Sequence, residues 1–247
     1  CFGSYGDLHP YIALAKNLQS RGHEISIGSS IMFKAQIESE GIPFTHLRSN
    51  LDQYDTPTAI RDFVRRIFDP VHGGELMINE MMANIEETYL DTLKATEKSD
   101  AVISNPLSYV TPIVCREKNI PWLSTILAPM FFLSVYDPPI MSPAPWLRKI
   151  HHLSPSIYRI LFSLLKSATK KWPKPLYQLC SRHQIPPPNG NPLFEGQYSP
   201  YGTLAMFPKC FAEPQIDWPR NTTLTGFPLF SVELSTNEKL DNLNSFI

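Results

Sequence analysis

Short apolar runs alternate with helical periodicity over the first 47 residues, and few folds accept that rhythm. Cys1-Phe2 reads as the end of a strand. Residues 3–9 read as a Gly-rich loop, and Pro10 takes the first helical position, where its missing N–H costs nothing. Tyr11, Leu14, Ala15 and Leu18 then recur at helical spacing until Gly22, a residue suited to a C-terminal cap. Residues 25–27 predict a strand, 31–40 a second helix and 43–47 a third strand. Such alternation predicts an α/β domain: a Rossmann-like parallel sheet with helices on both faces.

The rhythm continues more loosely. Residues 49–58 are polar and turn-rich, a loop. Ile78, Met81, Met82, Ile85, Tyr89 and Leu93 then form one apolar stripe of a longer helical pattern. Residues 101–104 predict a buried strand ended by Asn105-Pro106, 107–118 a helix and 122–126 the next strand. From Pro129 onward most of the 24 prolines occur, which favours extended linkers and short helices. One helix stands out there: Ser154-Pro155 supplies cap and first position, and Ile157, Tyr158, Leu161, Phe162 and Leu165 share a face. Residues 203–206 and 222–225 predict late strands, the second closed by Gly226-Phe227-Pro228.

Composition excludes several classes. A formal net charge of −1 gives no general pull toward nucleic acid. No apolar run approaches the ~20 residues of a spanning helix, and no signal-peptide pattern opens the chain. Cys1, Cys115, Cys180 and Cys210 are far apart and lack metal-ligand spacing, so no metal site is predicted and reduced thiols in the cytoplasm are the expectation. The sequon at Asn221 then reads as unused. Both ends suggest a fragment: the first strand lacks its beginning, and residues 240–247 start an amphipathic pattern with nothing behind it.

In an open parallel sheet, ligands gather at the carboxyl ends of the strands, often on the first strand-to-helix loop. That loop contains Gly3 and Gly6, which let a ligand approach the backbone, and one ionisable group, Asp7. The G-x-G-x-x-G spacing of dinucleotide sites is absent, and Asp7 would repel a pyrophosphate.

The run from Gly3 to Pro10, with Ile12-Ala13-Leu14 and Arg21-Gly22-His23-Glu24, resembles the G-T-R-G-D-V-Q-P opening of the glycosyltransferase family 28 N-terminal domain. Sterol glucosyltransferases and antibiotic-decorating glycosyltransferases of the GT-B fold belong to that group. Ile216-Asp217-Trp218-Pro219 and Leu224-Thr225-Gly226-Phe227-Pro228 are similar to the segment that ends the family's N-terminal domain. The resemblance implies an acceptor-binding domain over residues 1–230. Residues 231–247 would then be the linker and the start of a nucleotide-sugar-binding domain. It further implies inverting, metal-independent transfer from a nucleotide sugar, UDP-linked, to a hydroxyl of a sterol or other small hydrophobic acceptor, with no cofactor. Asp7 matches the family's general base. Two other architectures stay open: a stand-alone acceptor subunit of a split enzyme, and a non-catalytic lipid- or small-molecule-binding domain.

Read from the residues, each site position has two roles open to it. Asp7 is either a base or a cap for amides near the first helix. Gly3, Ser4 and Gly6 shape its loop. His9 either touches the acceptor or caps the helix, and Asn105 either orients the base or merely forms the Asn-Pro turn. His23 reads as structural, and His72-Gly73-Gly74 as a helix start, although the same three residues resemble a phosphate-binding turn of the family's other domain. From Pro138 to Phe194 there is no Asp or Glu. Within that stretch Arg159, Lys166 and Lys170 line one side of the helix after Ser154, and Lys171 follows it. With Trp146 and Trp172 on its flanks, the stripe suits either a peripheral contact with an anionic membrane or an ordinary solvated helix face.

Overall fold

Every strand pairing among the described residues is parallel. The computed structural model describes residues 1–140 and 154–230. Strand β1 (Ile27–Ser29) pairs with β2 (Phe44–His46), with Ile27 opposite Phe44. A second sheet runs in the order β3 (Val102–Ser104), β4 (Trp122–Ile126), β5 (Thr203–Ala205) and β6 (Thr222–Leu224). The expected parallel α/β arrangement is present, divided into two sheets. Cys1 and Phe2 lie between them: Cys1 N donates to Gly28 O at 2.6 Å, and Asn105 Nδ2 donates to Phe2 O at 2.7 Å.

Helices cover both faces because each buries one apolar stripe. Helix α1 (Tyr5–Ser20) contributes Leu8, Tyr11, Ile12 and Ala15 to a core that it shares with Ile27, Phe33, Ile37 and Ile42. Short helix α2 (Lys34–Ser39) follows a 3₁₀ turn at Ile31–Phe33. The larger core lies against Phe2 and Leu47 and takes Phe63 of α3 (Pro57–Ile67), Met81 and Met82 of α4 (Gly73–Ala83), and Tyr89 of α5 (Ile85–Thr96). Ile113 of α6 (Thr111–Lys118) and Leu176 and Leu179 of α8 (Lys174–Arg182) complete it. Helix α7 (Pro155–Ala168) packs Tyr158 and Phe162 on Val135.

Several boundaries depart from the periodicity reading. Helix α1 starts at Tyr5, so Pro10 lies inside it and residues 3–9 are mostly helix, not loop. The first strand after it is 27–29, two residues later than expected. The long pattern through Leu93 is two helices, broken at Asn84, whose side chains happen to continue one apolar phase. Helix α3 precedes them and buries only Phe63 deeply, which stacks on Tyr54 at 4.3 Å between ring centroids. Residues 231–247, the expected linker, and Trp146 lie outside the described residues.

Candidate functional site

The amino end of α1 is built by a contact between two residues. Ser4 is extended at the N-cap (φ −103°, ψ −179°), and Asp7 stands at the third helical position. There its Oδ2 accepts from Ser4 N at 2.7 Å and from Ser4 Oγ at 2.9 Å. An acidic group in the first turn also favours the positive end of the helix dipole. These bonds replace a free loop with a helical turn, which is why α1 begins five residues before Pro10. Pro10 removes one backbone bond, the one its N–H would have made to Gly6 O. Among the described residues Asp7 Oδ1 accepts no hydrogen bond, and the side chain is half-buried. One carboxylate oxygen is held and the other is open.

Phe2 places this turn at the carboxyl edge of both sheets. Its carbonyl is held by Asn105, the residue after β3, while Ser29 Oγ at the end of β1 donates to Cys1 O at 2.5 Å. Asn105 is 4% exposed, and its Oδ1 accepts from Ser108 Oγ. Its amide is therefore engaged in fixing the segment that leads into Gly3, and no hydrogen bond joins it to Asp7 among the described residues. Cys1 Sγ lies near both, 3.8 Å from Asp7 O and 4.0 Å from Asn105 Nδ2.

His9, one half-turn beyond Asp7, faces elsewhere. Its ring lies 5.6 Å from that of Tyr5 and 5.2 Å from that of Phe230, and Nε2 is buried with no hydrogen-bond partner among the described residues. His23 is exposed and contributes its backbone N–H to Leu18 O at the end of α1. His72 is the N-cap residue of α4, and a Cβ on Gly73 would lie 2.1 Å from Ile67 O, so this glycine serves the close approach of α3 and α4. Of the basic residues, Arg159 Nη2 donates to Tyr136 OH at 3.2 Å and Lys166 pairs with Glu195 at 2.6 Å. Lys170 and Lys171 are exposed and make no ion pair among the described residues.

Two features escape periodicity. Tyr11 OH meets Thr125 Oγ1, which donates to Ser104 O at 2.9 Å, so α1 is pinned to β4 and β3. Burial, only partly offset by the bond to Thr125, pushes this phenol above its usual range. Tyr5, Ile31 and Met32 are also 49%, 42% and 37% exposed, and Tyr5 packs edge-on against Phe33 at 5.2 Å. They form an apolar rim beside the first turn of α1. A separate hollow of about 280 Å³ lies along the body of α1, lined by Leu14, Asn17, Met206 and Phe227 among others. Its lining has no ionisable side chain.

Comparison with known proteins bears on the family and the fold. The model of the glycosyltransferase family 28 N-terminal domain matches residues 1–137. O-mycaminosyltylonolide 6-deoxyallosyltransferase of Streptomyces fradiae is 25% identical over 234 residues, covering 91% of this chain and 52% of that protein. A sterol 3-beta-glucosyltransferase of Debaryomyces hansenii is 24% identical over 235 residues, again 91% of this chain but 14% of its own length. Among solved structures, the calicheamicin glycosyltransferase CalG4 superposes with a TM-score of 0.58 at 12% identity, covering 91% of this chain and 51% of its own. The glycosyltransferase of kitacinnamycin gives 0.59 at 14% identity, covering 96% and 52%. At those identities the structural likeness is one of fold. The chain thus spans about half the length of the Streptomyces relative and much less of the yeast one.

Proposed function

The chain belongs to the glycosyltransferase family 28 N-terminal domain family, and from that membership we propose that residues 1–230 are the acceptor half of an inverting glycosyltransferase. A second domain, in the part of the Streptomyces relative that this chain does not span, would hold the nucleotide sugar, a UDP-sugar in this reading. The observation that carries the proposal is the divided Asp7 carboxylate: Oδ2 is anchored by Ser4 and Oδ1 is open at the carboxyl edge of the sheets. Oδ1 takes the proton of an acceptor hydroxyl as its oxygen attacks C1 of the sugar. The bond from C1 to the diphosphate oxygen breaks, and its electron pair leaves with the diphosphate from the opposite face. Transfer in one displacement inverts the configuration at C1, and the chemistry assigned to this chain needs only the carboxylate.

An apolar acceptor with a single hydroxyl fits the rim of Tyr5, Ile31 and Met32, since contact there removes exposed hydrocarbon from water. The sterol glucosyltransferases among the relatives favour an acceptor of that class. Gly3, Ser4 and Gly6 serve as shaping residues, with Asn105 positioning the segment before them. His9 faces Phe230 and takes no part in the proton transfer.

Asp7→Asn in the intact enzyme is the test. Asparagine keeps an oxygen for the Ser4 amide, so folding and acceptor affinity should persist while kcat falls by ~10²–10⁴. A variant with unchanged turnover would make Asp7 a helix cap only, and the domain a binding module.

A further inference from the structure

Helix α7 shows two surfaces to solvent, and only one of them is polar. At ~100° per residue, Tyr158 and Phe162 share the buried side, where they are 2% and 6% exposed. Ile157, Ile160 and Leu164 fall on another side and are 38%, 62% and 62% exposed. Arg159 lies between the two, separated from the aliphatic stripe by Ser163 and Ser167, and Lys170 and Lys171 follow the end of the helix. The helix thus has a second apolar stripe that stays exposed among the described residues.

The helix is also fixed in place. Asn191 Nδ2 donates to Lys166 O at 3.0 Å and to Thr169 Oγ1 at 3.1 Å, while Glu195 pairs with Lys166. The carboxyl end of the helix that presents the stripe is therefore tied to residues 191–195.

Charge decides what kind of partner suits it. There is no Asp or Glu from Pro138 to Phe194, and among the described residues of that stretch the ion pairs of Lys and Arg are Lys166 with Glu195 and Arg182 with Glu86. Lys170, Lys171 and Lys174 make no ion pair among the described residues. Protein–protein interface cores are depleted in Lys, whereas aliphatic side chains beside Lys and Arg characterise helices lying in a lipid surface. No described helix is long and apolar enough to cross a membrane.

We infer that α7 docks the protein on an anionic lipid surface. Ile157, Ile160 and Leu164 enter the boundary of the acyl region, and Arg159, Lys170 and Lys171 meet the headgroups. Arg159, whose guanidinium reaches Tyr136 OH, brings that half-exposed tyrosine to the same level, where an aromatic ring with a polar tip sits comfortably. The inference extends beyond the transfer chemistry and stands whether or not Asp7 is a base.

The test is co-sedimentation of the full chain with vesicles of phosphatidylcholine alone and with added phosphatidylserine. Binding should favour the anionic vesicles and fade as salt shortens the Debye length from ~8 Å toward ~3 Å. Replacing both Ile160→Ser and Leu164→Ser should lower partitioning about tenfold or more, since two aliphatic side chains lose their apolar environment. Replacing both Lys170→Glu and Lys171→Glu should abolish the preference for phosphatidylserine. All four positions are exposed, and thermal melting of each variant checks that the fold persists. Equal binding to both vesicle types would overturn the inference. So would indifference to the serine pair, or a change in self-association in place of vesicle binding.

Discussion

A Cβ atom built on Gly3 would lie 2.3 Å from Asp7 Oδ2, closer than carbon and oxygen can approach without a bond. Gly3 also has φ of +128°, where side chains are strained in any surroundings. The glycine is what allows the Asp7 carboxylate to fold back onto the Ser4 amide.

Gly3→Ala should therefore destabilise the domain by ~1–3 kcal/mol and dislodge the carboxylate. Thermal unfolding measures the first effect and kcat of the intact enzyme the second. Combining it with Asp7→Ala separates collision from backbone strain, because removing the carboxylate relieves only the collision. If the two stability losses simply add, the contact is not what the glycine avoids.

Ser4 donates to Asp7 twice, once from its backbone and once from its hydroxyl, so Ser4→Ala removes half of the anchor. We expect a stability loss of ~1 kcal/mol and a kcat reduced less than by Asp7→Asn. Equal losses of kcat in the two variants would mean that the hydroxyl is as necessary as the carboxylate, and more than an anchor.

At Asn105 the amide donates to Phe2 O and accepts from Ser108 inside a buried site. Asn105→Asp keeps the acceptor, loses the donor and turns an oxygen toward the Phe2 carbonyl. A loss of ~1–3 kcal/mol is expected in urea denaturation. Wild-type stability in that variant would show that the Phe2 contact contributes nothing.

The clasp between Arg48 and Asp91 gives a pH dependence. Asp91 Oδ2 accepts from Arg48 N at 2.9 Å, and its two oxygens take the guanidinium at 2.8 Å each. Burial, the largest single influence, pushes the Asp91 carboxyl up, but the Arg48 side-chain and backbone donors together outweigh it and hold it below the usual range. A depressed folded pKa means that the contribution is full above the unfolded value of ~4 and is lost as pH falls through the folded one. Asp91→Asn should therefore be less stable than wild type at neutral pH, by ~1 kcal/mol or less for so exposed a pair, with the gap closing below pH ~4. A gap that persists in acid would assign the loss to something other than charge.

How much of this was legible in the sequence depends on how local each cause is. Strand β4 and the start of α7 at Ser154-Pro155 follow from adjacent residues, and periodicity places both correctly. The start of α1 is also local, yet Pro10 obscured it: a proline normally marks the first helical position, and here the Ser4–Asp7 contact initiates the helix upstream. Helix α3 escaped because its buried surface reduces to Phe63 and neighbours, too little to make a stripe. The motif singles out Asp7, and the structure adds that Ser4 holds one of its oxygens. The roles of Asn105 and Lys166 were not legible, since their partners lie 103 and 29 residues away. The aliphatic stripe of α7 was hidden by the opposite confusion: sequence shows Ile160 and Leu164 as apolar, but not which side of a mostly apolar helix faces inward.

The segment before Gly3 is clasped from both sides, by Gly28 and Ser29 of one sheet and by Asn105 beside the other. The carboxylate three residues beyond Ser4 thus inherits its coordinates from two bodies at once. Ser29, Phe2, Asn105 and Ser108 become a single unit of inheritance. A change that moves one sheet is tolerated only alongside a matching change on the other, so along a lineage these scattered positions should vary together or not at all.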